Sequence, residues 1–546
     1  MSLRSVPSEF SIPLSPGMVD ASTGELTLAL SKAQQAVNRA RLAQSAWAAL
    51  GAQARAKVIE RFRRLLYLDR NLVARTVCEE SGKPMPESYI ADIAMALEGA
   101  RFLSRVAERS LATRTVRSQT MAAWRKTIIT HYEPYGVVAV VSPWNYPFFF
   151  PAMHAMTALV AGNAVILKPS EHTPRCVDHL ARLLHAAGVP RDVFIVLHGD
   201  GGMGVGLVNA TVDKVFFTGS ERTGRSIAVS CAPRFVPVSL ELGGSDAAIV
   251  LEDADMENAA SGILWARFSN AGQTCVAAKR VIAVGRAYDE LLPRLARGVA
   301  GMTVAGDTAN PASNADMGPV ITASQRTLIM EQLDEAIAQG ATVVARQEPR
   351  ATAAFATAAF ASAAMSASNS HIADRQVPAV ILADVTTAMR VWQEETFGPV
   401  LAVVRAASES EAIGMANGTR YGLSASVWTK DRARGARIAA QLEAGTMGIN
   451  DAVITAGLPE VPHGGVKASG MGRIHGVEGL MECVRTRTVV DDALPGMRQP
   501  WWFGYGPAST ARIDAYLRLA HGRSWWERLS GLPGTIKMLL RPERPL

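Results

Sequence analysis

The chain has 546 residues, of which 48% are hydrophobic and 19% charged, a composition that excludes a disordered or fibrous protein and allows several domains. Its formal net charge of +7 is concentrated at the C-terminus, because residues 494–546 hold eight Lys/Arg and three Asp/Glu. The other nine tenths are close to neutral, which argues against a general nucleic-acid-binding surface.

Residues 26–112 are expected to form helices, because their apolar residues recur at helical spacing. From Lys126 the pattern changes, and KTIITHY alternates like a strand. Short apolar runs separated by helix-like segments then follow at 137–141, 164–167, 193–197, 215–217 and 236–240. Buried strands that alternate with helices predict an α/β fold with a parallel sheet, and a second α/β series is expected from about 247 to 472.

Two segments stand outside this pattern. Residues 351–365 repeat ATAAF-ATAAF-ASAAM, too short a repeat for a solenoid, and are interpreted as a surface insertion. Residues 495–546 contain four of the ten tryptophans among basic residues, Leu and Ile. Such a tail forms either an arm that packs on a neighbouring subunit or a helix that lies at a membrane surface, and the sequence leaves both open.

The expected location is the cytoplasm. Five cysteines without a CxxC or Cys/His cluster argue against a disulfide framework or a structural zinc site and fit a reducing compartment. The N-terminal residues lack the apolar core of a secretory signal, and no run reaches about 18 apolar residues, so no membrane-spanning helix is expected.

Two glycine-containing turns follow predicted strands and are candidates for binding phosphate. Gly199–Gly204 matches GxGxxG, but the next strand does not end in the acidic residue of a dinucleotide fingerprint, so an ordinary turn is favoured. The sequence Phe217-Thr218-Gly219-Ser220, followed by Gly224, leads from a strand into a helix. The N–H groups of a helix start favour a phosphate, although an ordinary Ser-capped helix has the same pattern.

Two further loops carry polar residues at strand ends. Lys168 and Glu171 can both hydrogen-bond ribose hydroxyls, and the Glu would repel a 2′-phosphate, which favours NAD over NADP. A solvated Lys/Glu pair explains them equally well. The loop of Trp144 and Asn145 is fixed by two prolines, and the Asn145 amide can donate to a developing oxyanion or satisfy a tight turn.

An acid and a thiol complete the set of candidates. Glu241 ends an apolar strand before Gly-Gly, where burial should raise its pKa and suit it to general-base work. Cys275 follows the Gly-containing turn NAGQT and is a candidate nucleophile, although a single cysteine is more often an apolar core residue.

Together these motifs resemble the aldehyde dehydrogenase superfamily. SPWNYPF, GNAVILKPSE, FTGS, LELGG and GQTC occur in the family's order and spacing, and EETFGPV and PHGGVKASG follow them. The resemblance covers roughly residues 25–490. It implies a cofactor-binding domain (1–115 and 136–243), a catalytic domain (244–476), a β-hairpin oligomerisation element (116–135 and 477–494) and a homodimer or homotetramer.

The resemblance also implies the chemistry. Cys275 would attack an aldehyde to form a thiohemiacetal, whose oxyanion Asn145 and the Cys275 N–H would bind. Hydride transfer to NAD, or to NADP, would leave a thioester. Glu241 would activate water to release the carboxylic acid, and its presence indicates hydrolysis rather than acyl transfer to coenzyme A.

Family membership implies two further sets of residues. The cofactor contacts would be Trp144, Lys168, Glu171, Thr218, Gly219, Ser220, Gly224, Glu395 and Phe397, whereas the Gly199 turn would not hold the phosphates. The substrate pocket would be lined by Tyr146, Phe150, Met153, Trp392 and His463. These side chains are mostly large and apolar, which favours a medium or long aliphatic, or an aromatic, aldehyde.

The sequence departs from the family pattern at two places and leaves the subclass open. Ser245-Asp246 follows LELGG, and His463 replaces the usual Phe of PFGG. Some segments resemble the class 3 fatty-aldehyde branch, others the bacterial succinate-semialdehyde-like members. A cofactor-independent thiol esterase and a non-catalytic binding protein are the remaining alternatives.

Overall fold

The computed structural model describes residues 23–120, 123–305, 315–349, 373–495, 499, 501–503 and 505–540. The Ala-rich repeat at 351–365 and the first 22 residues lie outside these ranges. Residue contacts divide the chain into two units, one of residues 1–110 and 134–485 and one of residues 111–133 and 486–546. The proposed split of the first unit into cofactor and catalytic domains stays a prediction.

The helices of the described residues are numbered in chain order. They are α1 Thr23–Ala49, α2 Gly51–Ser81, α3 Met85–Glu87, α4 Met95–Ser110, α5 Phe149–Ala161, α6 Pro174–Ala187, α7 Gly201–Asn209, α8 Glu221–Cys231, α9 Met256–Phe268, α10 Ala287–Gly301, α11 Ala323–Ala338, α12 Arg390–Gln393, α13 Glu409–Asn417, α14 Arg432–Ala439, α15 Ile454–Gly457, α16 Gly476–Met481, α17 Ser509–His521 and α18 Trp525–Leu540.

The strands are numbered in the same way. They are β1 Arg114–Val116, β2 Lys126–Pro134, β3 Val137–Val141, β4 Ala164–Lys168, β5 Phe194–Val196, β6 Lys214–Thr218, β7 Val238–Glu241, β8 Asp246–Val250, β9 Ala278–Val284, β10 Thr342–Gln347, β11 Ala379–Ala383, β12 Val400–Ala406, β13 Ser424–Trp428, β14 Thr446–Ile449, β15 Gly470–Met471 and β16 Val484–Asp492.

The N-terminal part of the first unit is helical, which confirms the prediction for residues 26–112 over most of its length. A π-helical segment, Ser88–Ala94, joins α3 to α4. Such π-helical turns are rare and are frequently found at functional sites. Strand β1 at 114–116 lies just beyond the predicted helical region.

The first sheet has the order β15-β7-β6-β3-β4-β5. Strands β7, β6, β3, β4 and β5 are parallel to one another, and β15 at the edge runs antiparallel to β7. Strands β3, β4 and β6 are almost entirely buried, as expected for a parallel sheet covered by helices on both faces. The five apolar runs predicted from the sequence are therefore confirmed as its core strands.

The second sheet has the order β10-β11-β12-β9-β8-β13-β14. Only β10, at the edge, is antiparallel to its neighbour. This confirms the second α/β series expected from about residue 247. Its apolar residues pack with those of α9, α10 and α11 in one continuous core.

The second unit contains a small sheet and two helices. The sheet has the order β1-β2-β16, and Asp492 of β16 accepts hydrogen bonds from Arg125 at 2.9 Å and Lys126 at 2.7 Å. Strands β2 and β16 lie within the segments proposed for oligomerisation, 116–135 and 477–494, whereas β1 lies almost entirely before them. The C-terminal helices α17 and α18 pack against each other.

Candidate active site

The loop before Cys275 has an unusual backbone. Asn270 and Ala271 both have φ of 53°, and Gly272 has φ of 72°, a left-handed conformation that costs roughly 1–2 kcal/mol for a residue other than glycine. A Cβ at Gly272 would lie 2.5 Å from the Gly398 backbone. Glu87 stabilises the loop, because its two carboxyl oxygens accept the Asn270 N–H at 2.9 and 3.1 Å.

Cys275 lies among charged groups that influence its thiol. Burial is the largest effect and raises its pKa to about 12, Lys279 opposes the shift, and Glu395, Glu241 and Asp246 add to it. The Lys279 Nζ donates to the Cys275 carbonyl at 2.7 Å. The resting side chain is therefore a neutral thiol, and the carboxyl groups of Glu395, Glu241 and Asp246 are near enough to raise its pKa further.

Glu241 is the last residue of β7 and is only 4% exposed. Its strand lies between β6 and β15, where Glu241 pairs with Thr218 and Gly470. Burial raises the pKa of the carboxyl well above its ordinary value. The sequence prediction of a buried acid at this strand end is confirmed.

Asn145 lies directly against the Cys275 loop. Its Nδ2 donates to the Gln273 carbonyl at 3.0 Å, and among the described residues no hydrogen bond uses the second amide hydrogen or Oδ1. On the other side, a Cβ at Gly244 would lie 2.8 Å from the Cys275 carbonyl oxygen. The structure thus brings Asn145 and the segment after Glu241 to the same three residues, 273–275.

A buried ion pair that the sequence analysis missed supports this arrangement. Lys83 Nζ lies 2.7 Å from Asp92 Oδ2, and both side chains are fully buried. Lys83 also donates to the Asn145 carbonyl at 3.0 Å, and Asp92 accepts the N–H groups of Phe148 and Phe149, both at 3.1 Å. The pair links the π-helical segment to the Asn145 loop and the start of α5.

A groove of about 350 Å³ opens along the carboxyl ends of β3, β4 and β6. Six residues predicted to bind the cofactor line it: Trp144, Lys168, Glu171, Thr218, Gly219 and Ser220. The Oγ atoms of Ser142 and Thr218 also lie at this groove, and among the described residues neither has a hydrogen-bond partner. Buried hydroxyl groups of this kind fit a polar ligand such as a dinucleotide.

Lys168 and Glu171 form an ion pair of 3.1 Å at the groove. Burial alone would raise the pKa of Glu171, but its backbone hydrogen bond and the charge of Lys168 outweigh burial, and the pKa is lowered. The carboxylate is therefore ionised at neutral pH. A negative charge here opposes a phosphate group on the adenosine ribose.

The GxGxxG run at Gly199–Gly204 is neither the phosphate-binding turn nor the ordinary turn that the sequence analysis considered. It begins helix α7 rather than an isolated turn, and Gly201 and Gly204 line the groove. The Asp200 carboxylate caps this helix by accepting the Gly202 N–H at 2.9 Å. A carboxylate already occupies the helix N-terminus, so a phosphate is not expected there.

The other three predicted cofactor residues do not line this groove. Glu395 accepts the Gly244 N–H at 3.0 Å and lies 3.4 Å from Lys279, and Phe397 contacts Trp144 edge-on at 5.6 Å. Gly224 has a packing role, because a Cβ there would lie 2.4 Å from the Leu242 side chain.

A second cavity, of about 130 Å³, is lined by Cys275 and mostly apolar side chains. Of the predicted substrate-pocket residues, Tyr146 and Phe150 line it, and the Tyr146 hydroxyl is 2.6 Å from Thr274 Oγ1. Met153, Trp392 and His463 are buried and are not among its lining residues. Trp392 lies instead in the core of the second sheet, with the Arg280 guanidinium 5.0 Å from its ring.

The sequence analysis missed most of this lining. Additional apolar side chains come from the π-helical segment, α4, α9, the residue after Cys275 and the α15 region: Ile90, Ala91, Met95, Trp265, Val276, Val453, Ile454 and Ala456. Glu87 is an acidic member of the lining. These residues come from segments far apart in the chain and carry no local signal that would group them.

The model of the aldehyde dehydrogenase family matches residues 27–489. The chain belongs to this family. A 4,4′-diapolycopene aldehyde oxidase of a Methylomonas species is 34% identical to this dehydrogenase, over 90% of the present chain and 87% of that protein. A protein of Mycolicibacterium smegmatis, provisionally named as a succinate-semialdehyde dehydrogenase that uses NADP(+), is 36% identical over 85% of both chains.

Solved structures show the same fold. A betaine aldehyde dehydrogenase from Staphylococcus aureus, determined in complex with NAD+, has a TM-score of 0.78 and 29% identity over 86% of this chain and 91% of its own. The α/β fold and the resemblance found in the sequence are thereby confirmed. The aldehyde dehydrogenase is an oxidoreductase, and its apolar cavity is lined by Cys275 and the neighbouring Thr274 and Val276.

Proposed function

We propose that this aldehyde dehydrogenase oxidises an apolar aldehyde to its carboxylic acid with NAD(P)+, through a thioester on Cys275. The observation that carries the proposal is the position of the thiol at the wall of the apolar cavity, in electrostatic contact with Glu241 and Glu395. Bound NAD(P)+ supplies the acceptor for the hydride. The ionised Glu171 supports NAD as the preferred form, since it opposes a 2′-phosphate.

In the first half-reaction, the Cys275 sulfur forms a bond to the aldehyde carbon, and the thiol proton is lost. The oxygen of the adduct becomes an oxyanion, which the free amide hydrogen of Asn145 and the Cys275 N–H stabilise. One such donor contributes about 3 kcal/mol to the transition state. NAD(P)+ held in the groove of Trp144, Lys168 and Ser220 would accept the hydride that the adduct carbon gives up, which would leave a thioester.

In the second half-reaction, Glu241 takes a proton from water while the water oxygen attacks the thioester carbon. The carbon–sulfur bond breaks, the acid leaves and the thiol is restored. The site at the end of β7 suits this role, because burial makes Glu241 a stronger base than an ordinary carboxylate. Aldehyde, NAD(P)+ and water are thus converted to carboxylic acid, NAD(P)H and a proton.

A burst experiment tests this sequence. Glu241→Gln, mixed with aldehyde and excess NAD, should produce one NADH per active site rapidly and then turn over about 10²–10⁴-fold more slowly than the wild type. Cys275→Ala should give no burst. Cys231→Ala, which changes a buried cysteine of α8, is the matched control and should retain the wild-type rate. NADH formation by Cys275→Ala at the wild-type rate would refute the proposal, as would ester hydrolysis without cofactor in place of aldehyde oxidation.

The cavity supports an apolar substrate. No arginine is among its lining residues in the described part of the chain, its lysine Lys83 is paired with Asp92, and Glu87 adds an acidic group whose pKa is raised to about 7, chiefly by burial. A substrate carboxylate would find no free positive charge there. The Methylomonas relative, by its name, acts on an aldehyde of 4,4′-diapolycopene, which agrees with this inference.

Succinate semialdehyde is the second candidate substrate, because the mycobacterial relative carries that name. A panel of aldehydes with both cofactors separates the two. We expect kcat/KM to rise from short to long aliphatic and aromatic aldehydes and to be lowest for succinate semialdehyde, with NAD preferred over NADP. The reverse order of aldehydes would transfer the proposal to the semialdehyde, and Glu87→Gln should then be the more active variant because it removes a like charge.

A further inference from the structure

The C-terminal helices α17 and α18 pack through small residues. The face of α18 that meets α17 contains Gly531, Thr535 and Met538, all of which are buried. A Cβ at Gly531 would lie 2.2 Å from the Ala515 carbonyl oxygen, so the two helices approach closely. This face accounts for the packing between α17 and α18, which together form the C-terminal helical hairpin.

A different face of α18 carries an apolar stripe that is exposed. Its members recur at i, i+4, i+7, i+11 and i+15, which places them within about a quarter of the helix circumference. The stripe consists of Trp525, Leu529, Leu532, Ile536 and Leu540, with exposed fractions of 59%, 47%, 41%, 46% and 57%.

Aromatic and basic side chains accompany the stripe. Trp526 is 66% exposed and stacks on Trp525, with the ring centroids 3.5 Å apart. Residues 505–540 contain five Arg/Lys and two Asp/Glu, a formal charge of +3. At helical spacing, Arg528 and Lys537 fall on either side of the stripe, where long basic side chains can extend to lipid phosphates.

The arrangement favours an anionic bilayer surface over a second copy of the chain. A two-fold contact between identical hairpins would bring two positively charged surfaces together, whereas an anionic surface attracts them. Tryptophan is enriched at the boundary between headgroups and acyl chains. Within the described residues, no helix is both long and apolar enough to cross a bilayer.

We propose that α17 and α18 dock this enzyme on anionic membrane surfaces, with the stripe of α18 at the boundary between headgroups and acyl chains. Arg523, which is exposed two residues before α18, and Arg528 and Lys537 of α18 contact lipid phosphates. This inference concerns only the C-terminal hairpin and stands independently of the aldehyde that the enzyme oxidises.

Co-sedimentation of the full chain with phosphatidylglycerol vesicles, and with phosphatidylcholine vesicles, tests the proposal. Leu529→Ser/Ile536→Ser replaces two exposed stripe residues and should bind phosphatidylglycerol vesicles at least about tenfold more weakly. Leu42→Ser/Leu68→Ser makes the same change at residues 85% and 70% exposed on α1 and α2, and should bind like the wild type.

Charge is tested separately from apolar contact. Arg523→Gln/Lys537→Gln should weaken binding to phosphatidylglycerol vesicles at low salt by about 25-fold, at about fivefold for each charge. It should change binding to phosphatidylcholine little. The activity of every variant on a water-soluble aldehyde, measured without vesicles, shows that the enzyme is folded.

Two results would overturn the proposal. One is equal vesicle binding by the wild type and the stripe variant. The other is absence of vesicle binding together with a smaller oligomer for Leu529→Ser/Ile536→Ser in analytical ultracentrifugation, which would assign the stripe to contact between copies of the chain.

Discussion

Cys275, Glu241 and His463 all lie in surroundings that disfavour charge. Burial raises the pKa of the Cys275 thiol to about 12 and lowers that of His463 to about 4, with Arg473 adding to the second shift. Burial also raises the pKa of Glu241. Although His463 Nε2 lies 3.8 Å from Glu241 Oε2, the contact is not an ion pair, because the His463 ring is uncharged above about pH 4.

The raised pKa of Glu241 predicts the pH dependence of turnover. A general base works only when it is ionised, so the deacylation rate should rise with pH through the raised pKa and level off above it. Glu241→Gln should be slow and without this rise. The measurement is kcat against pH, with product release excluded as the limiting step by single-turnover assays.

His463→Phe is the matched control for this pH profile. Because His463 is uncharged above about pH 4, its replacement should leave the apparent pKa of turnover nearly unchanged. If His463 were a cation paired with Glu241, its loss would move that pKa upward. A profile independent of pH in the wild type would contradict the assignment of Glu241 as the base.

Among single residues, the sequence identifies those whose role is set by their immediate neighbours in the chain. Glu241 before Gly-Gly and Cys275 after a glycine turn are recognisable because a strand end and a tight turn are properties of neighbouring residues. Lys83 and Asp92 are nine positions apart in a helical stretch and look like solvated charges. Their pairing depends on the π-helical segment and on the loop of Asn145, which the sequence pattern does not reveal.

At the scale of elements, the Lys83–Asp92 pair connects three pieces of backbone. Asp92 lies in the π-helical segment Ser88–Ala94, and its Oδ1 accepts two N–H groups at the start of α5. The first N–H groups of a helix have no partner within the helix, so Asp92 acts as a cap from another element. Lys83 carries the connection to the carbonyl of Asn145.

Breaking this pair should be costly. Lys83→Met or Asp92→Asn alone leaves one buried charge without its partner, and each should lower the free energy of unfolding by about 3–5 kcal/mol. The double variant removes both charges and keeps an acceptor for Phe148 and Phe149, so it should be more stable than either single variant. Urea unfolding of the four proteins measures the difference.

The control for this cycle is an exposed ion pair. Arg39 and Asp192 are 3.7 Å apart, and their side chains are 61% and 53% exposed. Asp192→Asn should change the free energy of unfolding by no more than about 1 kcal/mol. A cost as small for Asp92→Asn would show that the buried pair does not hold the Asn145 loop.

The strands could be predicted from the sequence better than the connections between them. Apolar runs such as 137–141 and 164–167 mark buried parallel strands, and the structure has β3 at Val137–Val141 and β4 at Ala164–Lys168. The left-handed loop 270–272 and the π-helical segment could not be predicted. The loop contacts Glu87 and Gly398, which are distant in sequence, and Asp92 of the π-helical segment bonds the distant N–H groups of Phe148 and Phe149.

At the scale of the whole molecule, two independent observations agree with a lipid-soluble substrate. One is the apolar cavity at Cys275 in the first unit. The other is the exposed apolar and basic hairpin of the second unit. Each is tested alone by the experiments above, and together they predict that membrane docking affects the oxidation of some aldehydes and not of others.

A long-chain aliphatic aldehyde held in phosphatidylglycerol vesicles should be oxidised about tenfold more slowly, in kcat/KM, by Leu529→Ser/Ile536→Ser than by the wild type, in proportion to the lost vesicle binding. Benzaldehyde in free solution should be oxidised equally by both, because the substitutions are remote in sequence from every residue of the apolar cavity. Leu42→Ser/Leu68→Ser should match the wild type with both substrates. If the stripe variant loses vesicle binding yet oxidises the long-chain aldehyde at the wild-type rate, docking does not deliver the substrate and the hairpin serves another purpose.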